Sequence, residues 1–281
     1  GGGPKKTNSD EHGGHKMALP AEFNNQIRDL ESAYVQIVQA IEQEDLGKTT
    51  AAFADFGRSV NAVEGSLLTG HVRMQWKEFA MLLGNDAVEG RDVKRMSEAD
   101  RVFLALKGNM RRMRDQLGIT PNEQSQVEHI AVSPQFQREL AAVWERYLTI
   151  QKELAADQFK DAQQFLASFE SAVVNADDSQ LTGHAKQVWE REKANLSKLI
   201  DSLLQAPDIQ SMRTEFKPLS DAVGVLAKSF GFGEAGPIYE LHCPMAFEGK
   251  GAVWYQENDQ VRNPYYGASM LKCADRVEKV V

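Results

Sequence analysis

The chain has 281 residues, with 32 Lys and Arg against 40 Asp and Glu, for a formal net charge of −8. That balance argues against a non-specific nucleic-acid binder, which needs a basic surface to displace counterions from phosphate. Hydrophobic residues at 42% and charged residues at 26% are globular values, the length fits about two domains, and no apolar run approaches the roughly 20 residues of a membrane-spanning helix.

The opening residues, 1–20, read as a flexible linker: they contain no apolar signal core, do not begin with Met, and resemble the edge of a longer polypeptide. Within them, Glu11-His12-Gly13-Gly14-His15-Lys16-Met17 places two imidazoles and a thioether on a glycine backbone, a tract able to capture copper or nickel loosely. A solvated linker is the plainer reading.

Shifting the chain against itself by 113 residues aligns Phe23 with Phe136, Tyr34 with Tyr147, Phe56 with Phe169 and Trp76 with Trp189. The same shift lays Leu68-Thr69-Gly70-His71 on Leu181-Thr182-Gly183-His184 and Gly118 on Gly231. One register held this long predicts a repeat. In each copy apolar residues recur at three and four: Phe23, Ile27, Leu30, Tyr34, Ile37 and Ile41 form one stripe, and Phe136, Leu140, Val143, Tyr147, Ile150 and Leu154 its counterpart.

Turn-rich breaks at 45–48, 65–70 and 84–90 divide the first copy into four helices, with matching breaks at 178–183 and 206–208 in the second. Short connections favour antiparallel neighbours. The predicted fold is all-α: a tandem repeat of two up-and-down four-helix bundles, 21–119 and 135–232, joined by a linker at 120–134. Gly118 and Gly231 are expected to end the fourth helices in left-handed caps. The charged run Arg111, Arg112, Arg114, Asp115 is expected on an exposed helix face.

The remainder, 233–281, is read as an irregular Cys- and Met-containing tail packed on the second bundle. It carries both cysteines of the chain, Cys243 and Cys273, so everything before them folds without disulfides. After Pro244 an extended chain would point Cys243 and Met245 the same way, and one helical turn would bring Met270 and Cys273 onto one face. Turn residues Asn263-Pro264 and Gly267 could fold the two pairs together. Two thiols and two thioethers suit Cu(I) or Ag(I), with His242 and His184 as optional imidazole ligands. A Cys243–Cys273 disulfide stapling the tail is the competing reading. Trp254, Tyr255, Tyr265 and Tyr266 are expected to pack the tail rather than to shield a site.

The segments HCPMAFEGKGAVW and VRNPYYGASMLKC resemble the C-terminal signature of a family of periplasmic domains of unknown function. These occur alone or fused to periplasmic adaptor subunits of copper and silver efflux pumps of the resistance-nodulation-division type. The resemblance covers His242 to Ala246, Lys250 to Ala252, Trp254, Arg262 to Gly267, Met270, Leu271 and Cys273. It implies a periplasmic metal-associated helical module, with efflux components as partners and Cys243, Met245, Met270 and Cys273 as the positions to suspect.

His71 and His184 each follow a Thr-Gly pair, with Thr69 and Thr182 read as N-caps, so both imidazoles fall in a first helical turn. The helix dipole there favours the neutral ring, which makes His184 a ligand candidate. The recurrence of His71 in a copy without cysteines favours a shared capping motif instead. The expected function is non-enzymatic: binding and handing over Cu(I) or Ag(I), with a structural or partner-binding domain as the alternative. A Cys243 nucleophile would need a base, but His242 lies on the opposite face of an extended strand, and no HExxH, CxxC or phosphate loop is present.

Overall fold

The computed structural model describes residues 19–121, 125 and 129–280. The His-containing tract at 11–17 and residues 122–124 and 126–128 of the expected linker at 120–134 lie outside the described residues.

The described chain is mostly helical. Four helices come first: α1 (Ala21–Glu42), α2 (Leu46–Ala62), α3 (Gly70–Asp92) and α4 (Met96–Leu117). Four more follow: α5 (Pro134–Ala155), α6 (Phe159–Val174), α7 (Gly183–Leu204) and α8 (Ile209–Phe230). Within each set consecutive helices pack on one another and the fourth closes against the first. Each set has its own core, one around Phe23, Tyr34, Phe56 and Leu83, the other around Phe136, Tyr147, Phe169 and Leu196. The bounds of α1 and α5, and of α4 and α8, differ by the 113 residues of the sequence shift.

Several local expectations change. Helix α3 runs unbroken through Gly84 and Gly90, because the helix-breaking tendency of a glycine costs only about 1 kcal/mol in an otherwise supported helix. Gly90 is needed for a packing reason: the Phe53 ring occupies the space a Cβ would take. Thr69 and Thr182 do precede α3 and α7, but neither side chain makes a capping hydrogen bond. Gly118 is left-handed at φ 66°, ψ 32°, as a C-terminal cap requires, whereas Gly231 shares the positive φ but leaves in an extended direction.

The tail departs from the all-α expectation by forming a three-stranded antiparallel sheet in the order β2-β1-β3. Its strands are β1 (Tyr239–Cys243), β2 (Ala252–Gln256) and β3 (Arg276–Lys279). Leu241 stands opposite Trp254 on one side and Val277 on the other, and Glu240 opposite Tyr255. Both faces of the central strand are covered, which hides the alternation that usually marks a strand. Tyr255 inserts against α8, where Gly224 has no Cβ to obstruct the phenol, and its N–H donates to the Tyr147 hydroxyl at 3.1 Å. On the other face Trp254 meets Tyr265 edge-on. Trp254, Tyr255 and Tyr265 are all buried in the second core, so the expected packing role fits, while Tyr266 is half-buried.

The arginine run at the end of α4 is a further correction. Arg114 is buried and makes a bidentate pair with Glu31 at 2.8 and 2.7 Å. Arg112 pairs with Glu278 at 3.1 Å and Arg111 donates to the Val280 carbonyl at 3.0 Å. These residues bind α4 to the edge strand of the tail, so the tail touches both bundles.

Candidate metal sites at the tail and between the bundles

The tail is fixed to the second bundle through its loop at 262–270. Arg213, buried on α8, donates to the carbonyls of Pro264 and Leu154, both at 2.8 Å, and to Asp157 at 2.6 Å. The Ala268 N–H reaches the second oxygen of Asp157 at 2.9 Å. That amide and the Arg213 guanidinium hold the Asp157 carboxyl below its ordinary pKa. Gly267, at φ 57°, passes so close to Asp157 and Arg213 that a Cβ would collide with both. Asn263 then turns the chain back: its N–H donates to Leu271 O at 2.9 Å and its side-chain amide to Cys273 O at 3.0 Å.

This loop carries Cys273 to the end of β1, where its sulfur lies 3.0 Å from that of Cys243. Both cysteines are free thiols; Cys243 is fully buried and Cys273 half-buried. The neighbouring Cys243 thiol, with burial adding to it, raises the pKa of Cys273. The protonated thiol is therefore the resting form at neutral pH.

Of the other candidates, Met245 departs from the sequence expectation. The strand ends at Cys243 and Met245 adopts a helical φ/ψ of −83° and −15°, so the two-residue alternation does not continue past Pro244. The Met245 side chain is 56% exposed, and its carbonyl accepts the Tyr266 hydroxyl at 2.6 Å. Met270 follows a short 3-10 turn (Gly267–Ser269), is half-buried, and accepts the Cys273 N–H on its carbonyl at 3.0 Å. His242 points away from the thiols, with Nδ1 at 2.7 Å from Asp275, because neighbouring strand residues face opposite ways. That neighbour contributes to holding Asp275 below its ordinary pKa.

His184 is far from the tail thiols in its bonding: it belongs to a polar cluster between the bundles that the sequence reading did not assemble. Its Nδ1 is hydrogen-bonded to Glu44 in the α1–α2 turn, and its Nε2 lies 3.9 Å from Asp100 Oδ1 on α4. Arg191, two turns along α7, pairs with the other Asp100 oxygen. Glu44, Asp100 and His184 are the His, Cys, Asp or Glu side chains that meet as a group of three among the described residues. Burial pushes the Asp100 pKa up, opposed by Arg191 and His184. The signal that could have revealed this cluster is the 113-residue sequence shift, which lays Asp100 on Arg213.

A family model described as a protein of unknown function (DUF3347) matches residues 143–235, about a third of the chain. The match spans most of α5 to α8 and stops before the paired thiols. No match was found among curated proteins or solved structures. Among the described residues, no helix is long and apolar enough to cross a membrane.

Proposed function

We propose that this chain is a non-catalytic, periplasmic binding module for Cu(I) or Ag(I), with Cys243 and Cys273 as ligands, serving a metal-efflux adaptor. The observation that carries the reading is the convergence of the two thiols at 3.0 Å from opposite ends of the tail. Soft sulfur donors select monovalent copper and silver over hard cations. Met245, exposed and two residues from Cys243, and Met270, half-buried and three residues from Cys273, are the proposed thioether donors, while His242 is set aside by its bond to Asp275. The efflux setting rests on the resemblance of the tail to the adaptor-associated signature. The two bundles are read as copies of one helical unit, on the strength of the matched residues and helix bounds.

Metal is cargo in this scheme, and the protein's task is to surrender protons for it. Because Cys273 is held protonated, binding releases protons and affinity rises with pH. Cys243→Ser and Cys273→Ser are each expected to abolish stoichiometric Cu(I) binding by the reduced protein in competition with a chromophoric chelator. Unchanged affinity in both variants overturns the site.

The same convergence favours one other reading, a helical partner-binding domain in which the thiols have lost two protons and two electrons to an oxidant and form a disulfide. Thiol titration of protein isolated without reductant separates the two: two reactive sulfurs support the ligand role, none supports the staple.

A further inference from the structure

We infer that Glu44, Asp100 and His184 form a second metal site, for a borderline divalent cation such as Zn(II), at the seam between the two bundles. This site is independent of the thiol pair in residues, in metal chemistry and in location.

Nδ1 of His184 faces a carboxylate of Glu44, so that nitrogen carries the proton, and in the neutral ring Nε2 then presents a lone pair. What Nε2 faces is another acceptor, Asp100 Oδ1, at 3.9 Å. The Asp100 side chain is only 8% exposed, and Oδ1 is buried without any hydrogen-bond partner. Two acceptors 3.9 Å apart and largely out of water are unfavourable unless a metal cation, or a second proton on the ring, lies between them. A carboxylate behind a histidine, fixing its tautomer while the far nitrogen binds metal, is a recurrent support for such ligands. Imidazole and carboxylate together suit Zn(II) and its neighbours rather than Cu(I).

Charge points the same way. Glu44, Asp100 and the neighbouring buried Glu192 supply three carboxylates, against the one guanidinium of Arg191. The repeat shows that this excess is particular to the first bundle. At the corresponding turn of the second bundle Asp157 meets Arg213, an ion pair complete within its own bundle. In the first bundle Asp100 replaces the arginine, so carboxylate faces carboxylate and compensation must come from outside. Glu44 is held there at φ 54°, a left-handed conformation that costs a non-glycine residue energy and that Asp157 shares at φ 60°. An ion bound to Asp100 on α4 and His184 on α7, with Glu44 orienting the ring, would clamp the bundles together.

The test uses the full chain carrying Cys243→Ser, Cys273→Ser, His12→Gln and His15→Gln, which removes the thiols and the amino-terminal imidazoles. Calorimetric titration with Zn(II) is expected to give one equivalent bound, and thermal unfolding to shift upward with free Zn(II). Adding Asp100→Asn or His184→Gln should lower affinity at least about a hundredfold, and Glu44→Gln about ten- to a hundredfold as an orienting group. His71→Gln, the exposed counterpart in the other copy, should leave binding unchanged. Should the ligand variants lose their helical circular dichroism, paramagnetic Co(II) added to the parent protein decides: amide signals at 44–45 and 183–191 broaden while those around His71 stay sharp. No uptake of Zn(II), the result expected if His184 is an imidazolium bridging two carboxylates, overturns the site, as do equal affinity in Asp100→Asn and uniform Co(II) broadening.

Discussion

The two bundles share helix lengths and aromatic anchors but differ in what they bury. Where the first has the ion pair Glu31–Arg114, the second has Trp144 and Ala227; where the first has Asp86 bonded to Asn109 at 2.6 Å, the second has Leu199 and Ala222. The polar pairs of the first core are exchanged for largely apolar side chains in the second. A different exchange occurs at the first interhelical turn, where the second bundle has the ion pair Asp157–Arg213 and the first has two carboxylates, Glu44 and Asp100. The lesson is that one helical frame tolerates either chemistry at a given position as long as each buried charge finds a partner. In the second bundle that partner also holds the tail.

The sharpest way to break the comparison is Arg213→Met. It leaves the buried carbonyls of Leu154 and Pro264 without their donor and releases the loop that carries Cys273, while the half-exposed Asp157 keeps the Ala268 N–H, so a loss of about 2–4 kcal/mol is expected in urea unfolding. Thiol reagents should also modify Cys273 faster. A loss below 1 kcal/mol would mean that the loop is held by its apolar contacts alone.

Next in size, Arg114→Ala should cost about 3 kcal/mol because Glu31 is left charged and buried. Adding Glu31→Trp installs the second bundle's pair, and most of the loss should return. If the double variant is no more stable than the single one, the two cores are not interchangeable at this layer.

Asp86 offers a smaller, pH-dependent difference. Burial raises its pKa to about 6, against the opposing bond from Asn109. The folded state therefore holds a proton that the unfolded chain has released between about pH 4 and 6, so this residue's contribution to stability falls as pH rises through that window. Asp86→Asn should flatten that slope in urea midpoints measured from pH 4 to 7, and an unchanged slope would assign it to other groups. Smallest is the cap of the last helix: Asp208 accepts the Ser211 N–H at 2.8 Å, whereas Arg95, in the same place in the first bundle, makes no side-chain cap. Asp208→Ala should lower the urea midpoint slightly without changing its slope.

The helical frame was legible because its signals are local: the Phe23 and Phe136 stripes recur at three and four, and the 113-residue shift between them needs no knowledge of packing. Helix ends were less so, since Gly84 and Gly90 look like breaks until Phe53 is seen against Gly90. The strands of the tail escaped for a physical reason. Glu240 is buried in β1, where Tyr255, Lys228 and Arg276 hold its carboxyl below the ordinary pKa despite burial, so polar residues do not mark an outer face. The thiol pair was foreseen from residue type and turn chemistry. The cluster at His184 was not, because it joins residues 140 apart that only the seating of one bundle on the other brings together.

The short path from Cys273 to the edge strand has its own consequence. Only Ala274 and Asp275 intervene before β3, the Asp275 N–H is pinned to His242 O at 3.0 Å, and Glu278 and Val280 are gripped by α4. Two residues span at most about 7 Å of extended backbone, so the sulfur has almost no slack. Any displacement of Cys273 must be taken up by the strand, and the strand's far end is fastened to the other half of the molecule.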